Sequence, residues 1–106
     1  MDLKDKRVVV TGGGTGIGRG VALAFAAEGS HVAICGRREE PLVETASLHT
    51  GETPVLTKTC DVADRDSTGE FFSWVEETLG GIDIIVINAG INVRERSMAE
   101  TTPEDW

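Results

Sequence analysis

Apolar and polar positions along the chain fall into blocks that switch between two periods. Short apolar runs stand at Arg7 to Thr11, His31 to Cys35, Pro54 to Cys60 and Ile84 to Ile87. They have the length and the β-branched content of strands. Between them lie longer segments with apolar residues at helical spacing. Gly16 to Glu28 predicts a helix with Ile17, Val21, Ala24 and Phe25 on one face at helical spacing, ended by Gly29 at the position after the cap. Glu39 to Leu48 predicts a second helix that tolerates Pro41 in its first turn. Asp64 to Leu79 predicts a third, with Phe71, Trp74, Val75 and Thr78 or Leu79 turned inward and Gly80-Gly81 breaking it. The third strand is the most polar and suits a sheet edge. The fourth, Ile84-Ile85-Val86-Ile87, is apolar at every position, as in strands covered on both faces. Strands alternating with helices imply a parallel sheet with helices on both sides. The expected fold is a doubly wound, Rossmann-type α/β sheet.

Composition narrows the partners. The chain has 106 residues, 40% hydrophobic and 26% charged, enough for one domain with a modest core. A net charge of -8 and an isoelectric point near 4.6 argue against nucleic acid, which needs a basic footprint. No apolar run nears the roughly 18 residues of a membrane span, and the first residues carry no apolar signal core. A cytoplasmic location is expected, and Cys35 and Cys60 are expected to be reduced, buried thiols rather than a bridge. His31 and His49 have no ligand partner at metal spacing, so no metal site is expected.

Chemistry concentrates between the first strand and the first helix. Thr11 to Gly18 reads Thr-Gly-Gly-Gly-Thr-Gly-Ile-Gly, with five glycines in eight residues. Glycine weakens helices and strands alike, so such a cluster serves tight turning and close approach rather than packing. It opens a helix, whose N-terminal amides and dipole favour anions. The spacing Gly-x-Gly-x-x-Gly fits no frame here: from Gly12 its last position is Ile17, and from Gly14 it is Arg19. Gly-x-x-x-Gly-x-Gly does fit, at Gly12, Gly16 and Gly18, preceded by Thr11. Asp61-Val62 follows the third strand and Asn88-Ala89-Gly90 the fourth.

With these three motifs in order after three strands, the chain resembles the short-chain dehydrogenase/reductase family over essentially its whole length. The resemblance implies that residues 1–106 are the N-terminal part of a single dinucleotide-binding domain. Thr11, Gly12, Gly14, Thr15, Gly16, Ile17 and Gly18 would then form the pyrophosphate cradle. Within it Gly12 makes the tight turn, Gly16 admits the pyrophosphate and Gly18 lets the helix pack close to the sheet. Asp61 and Val62 would line the adenine pocket, with a helix-capping role for Asp61 as the competing reading, for which Asp64 is better placed. Asn88, Ala89 and Gly90 would lie beside the adenosine ribose, and Ile87 stands where the family usually has another Asn.

The end of the second strand bears on the cofactor. A carboxylate there would bind the ribose 2′-hydroxyl of NAD. This chain instead has Cys35-Gly36-Arg37-Arg38, with no carboxylate before Glu39. A guanidinium binds phosphate through paired hydrogen bonds, which favours NADP(H) over NAD(H). The competing reading is two solvated arginines paired with Glu39 or Glu40, Arg38 more so than Arg37. Trp74 reads as core. Arg94 and Arg96 read as surface residues, with contact to an anionic substrate as the alternative.

Family members use a tyrosine as general acid or base, a lysine four positions later, an orienting serine and an assisting asparagine. The chain contains no tyrosine. Thr102-Pro103 opens a helix, with Asp105 placed for a capping box. The resemblance therefore implies a piece truncated after the fourth strand, without catalytic residues and inactive alone. Its apolar last strand would be an edge prone to self-association or instability. The parent protein would be a homo-oligomeric oxidoreductase interconverting a small alcohol and a carbonyl, with no nucleic-acid or membrane partner. The alternative is a dinucleotide-binding module without catalysis, acting as sensor or scaffold. An S-adenosylmethionine-dependent methyltransferase fits less well, since Arg37 stands where those enzymes carry an acid. A Tyr-x-x-x-Lys motif after Trp106 separates enzyme from module.

Overall fold

The computed structural model describes residues 3–88. Ala89, Gly90, Arg94, Arg96 and the segment 102–106 lie outside the described residues. The order is β1 (Arg7–Thr11), α1 (Gly16–Ala27), β2 (His31–Gly36), α2 (Glu39–Leu48), β3 (Leu56–Thr59), α3 (Arg65–Leu79) and β4 (Ile84–Ile87). The four strands form one parallel sheet in the order β3-β2-β1-β4. This is the doubly wound sheet expected from the alternation, with β3 at an edge.

Because successive strand residues face opposite sides, the apolar middles of the central strands feed two cores at once. Val8, Val10, Val32 and Ile34 meet Ala22, Ala26, Leu42 and Val55 on the face covered by α1 and α2. Val9, Ala33 and Cys35 meet Phe71, Val75 and Cys60 on the face covered by α3. Phe71 and Val75 are fully buried, and each contributes roughly 1.5–3 kcal/mol by burial. Trp74 and Leu79 pack at the rim of that core, as expected, whereas Thr78 is exposed. On β4, Ile84 and Val86 join the first core, while Ile85 and Ile87 are about half exposed.

The buried face of α1 departs from the hydrophobic stripe. Ile17 is 76% exposed and Ala24 is exposed; the residues pressed on the sheet are Gly18, Ala22 and Ala26, with Val21 and Phe25 at the margin. The face that meets the sheet is chosen by size: small residues let the helix backbone approach, so the stripe is rotated from the one that hydrophobicity predicts. The helix ends at Ala27, with Glu28 as cap and Gly29 at a φ of 88°, the left-handed position expected of it. β3 is shorter than its apolar run, and β2 one residue longer.

Asp64 caps α3, accepting from the backbone N–H of Asp66 (2.9 Å) and Ser67 (3.3 Å). Asp64→Ala is expected to lower stability by about 1 kcal/mol in urea unfolding. At the other end of the sheet Arg7 grips Asp83 through its backbone N–H, Nε and Nη2, and donates Nη1 to the Gly80 carbonyl. The guanidinium holds the Asp83 carboxyl well below the usual carboxylate range. This exposed clamp ties the entry of β4 to β1.

Cys35 and Cys60 are both free and buried, in contact at neighbouring strand ends. Burial, then the neighbouring Cys60, pushes the Cys35 thiol up to about 12 from 9.0. Below the ordinary value both folded and unfolded chains keep the proton. As pH rises from 9.0 toward about 12 the unfolded chain ionises first, so stability falls with rising pH across that window. At neutral pH both thiols are expected to resist iodoacetamide in the native protein and to react in urea, as read by mass spectrometry.

Candidate dinucleotide cradle

The motif residues within the described range gather at the C-terminal ends of the strands, where open α/β sheets bind ligands. β1 runs into Thr11 and the glycine loop, β2 into Gly36 and Arg37, β3 toward Asp61, and β4 into Asn88. Three hydrogen bonds fasten the ends of β1, β2 and β4 together. The Gly13 N–H donates to the Cys35 carbonyl (3.1 Å), the Asn88 N–H to Thr11 Oγ1 (3.0 Å), and Asn88 Nδ2 to the Gly12 carbonyl (3.2 Å). Asn88 is thus a strut beneath the loop.

The glycines serve different ends. Gly12 turns at a φ of 66°, and a Cβ there would fall 2.9 Å from the Asn88 carbonyl. Gly18 is where α1 touches β1: a Cβ would overlap the Gly12 carbonyl and lie 2.7 Å from Asn88 Nδ2. Gly13 and Gly14 are pressed against Ile34 and Pro41, whose atoms would meet an added Cβ at 2.6 and 2.9 Å. Gly16 is the exception. Its φ is 58°, yet among the described residues nothing lies within 4 Å of where its Cβ would stand. Space is therefore open in front of the helix N-terminus, beside the exposed Thr15, Gly16 and Ile17. Thr15 occupies the N-cap position with extended backbone and no hydrogen bond from its own side chain to the helix. The first-turn amides of α1 have no carbonyl partner within the helix.

At the next strand end Arg37 and Asp61 stand opposite one another, Nε to Oδ1 at 3.8 Å, Arg37 exposed and Asp61 half-buried. Arg37 thus leans toward Asp61 rather than toward Glu39 or Glu40. Such an open pair contributes little by itself. Asp61 Oδ1 also accepts from the Ala63 N–H (3.0 Å), which shapes the loop, while Asp64 does the capping. Val62 is 53% exposed beside it. Arg38 is the extended N-cap residue of α2, with no cap hydrogen bond from its side chain.

Two residues to which the sequence reading gives no role hold the loop from behind. Arg19, in α1, donates Nη2 to the Gly14 carbonyl (2.7 Å) and Nε to Thr45 Oγ1 (2.9 Å), and pairs with Glu44 at 2.8 Å. The fully buried Thr45 hydroxyl lies 3.0 and 3.1 Å from the Gly13 and Gly14 carbonyls. Arg19 sits directly after the fingerprint, which is a usable signal. Thr45 has none, because a hydroxyl inside a helix carries no mark of what it faces.

No group of three or more His, Cys, Asp or Glu side chains suited to a metal ion occurs among the described residues. No helix there is long and apolar enough to cross a membrane.

A four-stranded parallel sheet flanked by three helices, with a glycine loop at the strand ends, is the Rossmann-type α/β class. Over residues 6–106 the chain matches the model of the short chain dehydrogenase family, and it belongs to that family of oxidoreductases. It is 36% identical over 104 residues to a 3beta-hydroxysteroid dehydrogenase of Mediterraneibacter gnavus, covering 96% of this chain and 37% of that protein. It is likewise 36% identical over 92 residues to a glucose 1-dehydrogenase of Gluconobacter oxydans, covering 83% and 34%. Among solved structures, a short-chain type dehydrogenase/reductase from Mycobacterium marinum superposes with a TM-score of 0.82 at 39% identity, covering 98% of this chain and 42% of that one. The chain spans little more than a third of the length of these curated relatives. The family binds NAD(P)(H) and small-molecule substrates.

Proposed function

We propose that this chain is the cofactor-holding part of an NADP(H)-dependent oxidoreductase that interconverts an alcohol and a carbonyl. The observation that carries the reading is the open, anion-facing space before Gly16, with Arg37 at the end of β2 where a 2′-hydroxyl-binding carboxylate would stand. The space fits a pyrophosphate. A Cβ at Gly16 would project into it, no atom of the described residues lies within 4 Å of that Cβ, and the first amides of α1 border it. Thr11, Gly12, Gly14, Thr15, Gly16, Ile17 and Gly18 would hold the pyrophosphate. Asp61 and Val62 would receive the adenine, and Arg37, with Arg38 near it, the 2′-phosphate. Asn88 would sit beside the ribose, with Ala89 and Gly90 following it in sequence. When bound, the nicotinamide supplies the hydride; the chain's part is to orient it.

An assay of the intact protein tests this reading. Alcohols and carbonyl compounds, steroids and sugars among them, would be offered with NADP(H) or NAD(H), and interconversion followed by nicotinamide absorbance. Turnover with NADP(H) is expected. Tight cofactor binding without turnover of any compound would support a module without catalysis instead.

A further inference from the structure

We infer that Arg19 and Thr45 are positioning residues for the pyrophosphate: together they hold the glycine loop in the orientation that aims its amides at the ligand. The inference rests on reading that loop as the cradle.

Each peptide unit is planar and trans, so its C=O and the next N–H point in opposite directions. Fixing the Gly13 carbonyl therefore fixes the Gly14 N–H, and fixing the Gly14 carbonyl fixes that of Thr15. Both carbonyls are held from the α2 side. Thr45 Oγ1 lies 3.0 and 3.1 Å from them, and Arg19 Nη2 donates to that of Gly14 at 2.7 Å. The amides of Gly14 and Thr15 are thereby directed away from α2.

The two side chains act as a unit. Thr45 has one proton to give, with a third acceptor, the Pro41 carbonyl, also at 3.0 Å. Arg19 relieves that competition by serving Gly14 itself, while its Nε supplies the donor that the Thr45 oxygen accepts at 2.9 Å. Arg19 Nη2 also lies 3.4 Å from the Pro41 carbonyl, and Nη1 pairs with Glu44, which fixes the guanidinium plane. Glycines have no side chains with which to restrain themselves, and three in a row would otherwise sample many orientations. An amide array fixed before binding loses less entropy when the anion arrives.

The test compares two ligands in the intact protein. NADPH reaches the cradle; adenosine 2′-monophosphate carries the adenine and the 2′-phosphate but nothing that touches the glycine loop. Thr45→Val keeps the shape and removes the hydroxyl. It is expected to weaken NADPH about tenfold, as for one lost hydrogen-bonding restraint, and to leave adenosine 2′-monophosphate unchanged. Thr45→Ser keeps the hydroxyl and is expected to bind both as wild type does. Arg19→Lys keeps the charge but cannot span Gly14 and Thr45 together. It should show the same selective loss, and decides the matter if Thr45→Val does not fold. Equal weakening of both ligands, or no change in NADPH affinity in the folded variants, would overturn the inference. A wild-type protein that binds no NADPH would overturn the functional reading and the inference with it.

Discussion

Gly18→Ala is expected to cost about 3 kcal/mol of stability and to abolish dinucleotide binding in whatever fraction remains folded. One methyl group does this because of where it would go. The Cβ would overlap the Gly12 carbonyl and press on Asn88 Nδ2 at 2.7 Å, and neither neighbour is the free end of a flexible chain. Gly12 is the turn of the glycine loop, and Asn88 is held by Thr11 and Gly12 together. To admit the methyl, α1 must lift from the sheet, and its first-turn amides move with it. Gly20→Ala provides the control. Gly20 lies two residues on in the same helix, is exposed, and among the described residues has nothing within 4 Å of its would-be Cβ. There the methyl only removes backbone freedom, so stability should rise by about 0.5–1 kcal/mol. Urea midpoints of the two variants should move in opposite directions. Equal shifts would mean that α1 does not approach β1 as closely as described.

Arg37→Ala is expected to weaken NADPH binding by roughly ten- to a hundredfold while leaving NADH affinity nearly unchanged, since a hydrogen bond to a charged group contributes about 1.5–3 kcal/mol. Arg37 is 78% exposed in its side chain and leans on Asp61 at 3.8 Å, a pairing weak enough for a phosphate to displace. Nothing structural is lost with it, so the unfolding midpoint should stay within about 0.5 kcal/mol of wild type. The change in cofactor ratio is therefore the readout. A fall in affinity for both cofactors would place Arg37 on the adenine, which the two share, rather than on the 2′-phosphate.

What the sequence disclosed and what it hid follow from the range of the interactions involved. The bounds of α2 and β4 are legible because local pattern decides them: two acids open the helix, and four consecutive β-branched residues make the strand. Asp64 is legible as a cap because capping is a contact between near neighbours. The inward face of α1 is not, because Gly18, Ala22 and Ala26 are selected by closeness to the sheet, which hydrophobicity does not measure. The five glycines of the loop are visible, and the resemblance assigns Gly12, Gly16 and Gly18 their parts, but the reasons for Gly13 and Gly14 are not legible. Gly13 and Gly14 answer to Ile34 and Pro41, residues 21 and 27 positions further on, respectively. Arg19 and Thr45 show the same limit more sharply. Their partnership spans 26 positions and exists only once α1 and α2 lie on the same face of the sheet.

The most direct measurement is a calorimetric titration of the intact protein with NADPH and with NADH, repeated on Arg37→Ala. Saturable binding that is tighter for NADPH, with the preference lost in the variant, is the predicted result. Saturation by neither dinucleotide, or equal affinity for both that Arg37→Ala leaves unchanged, would contradict it.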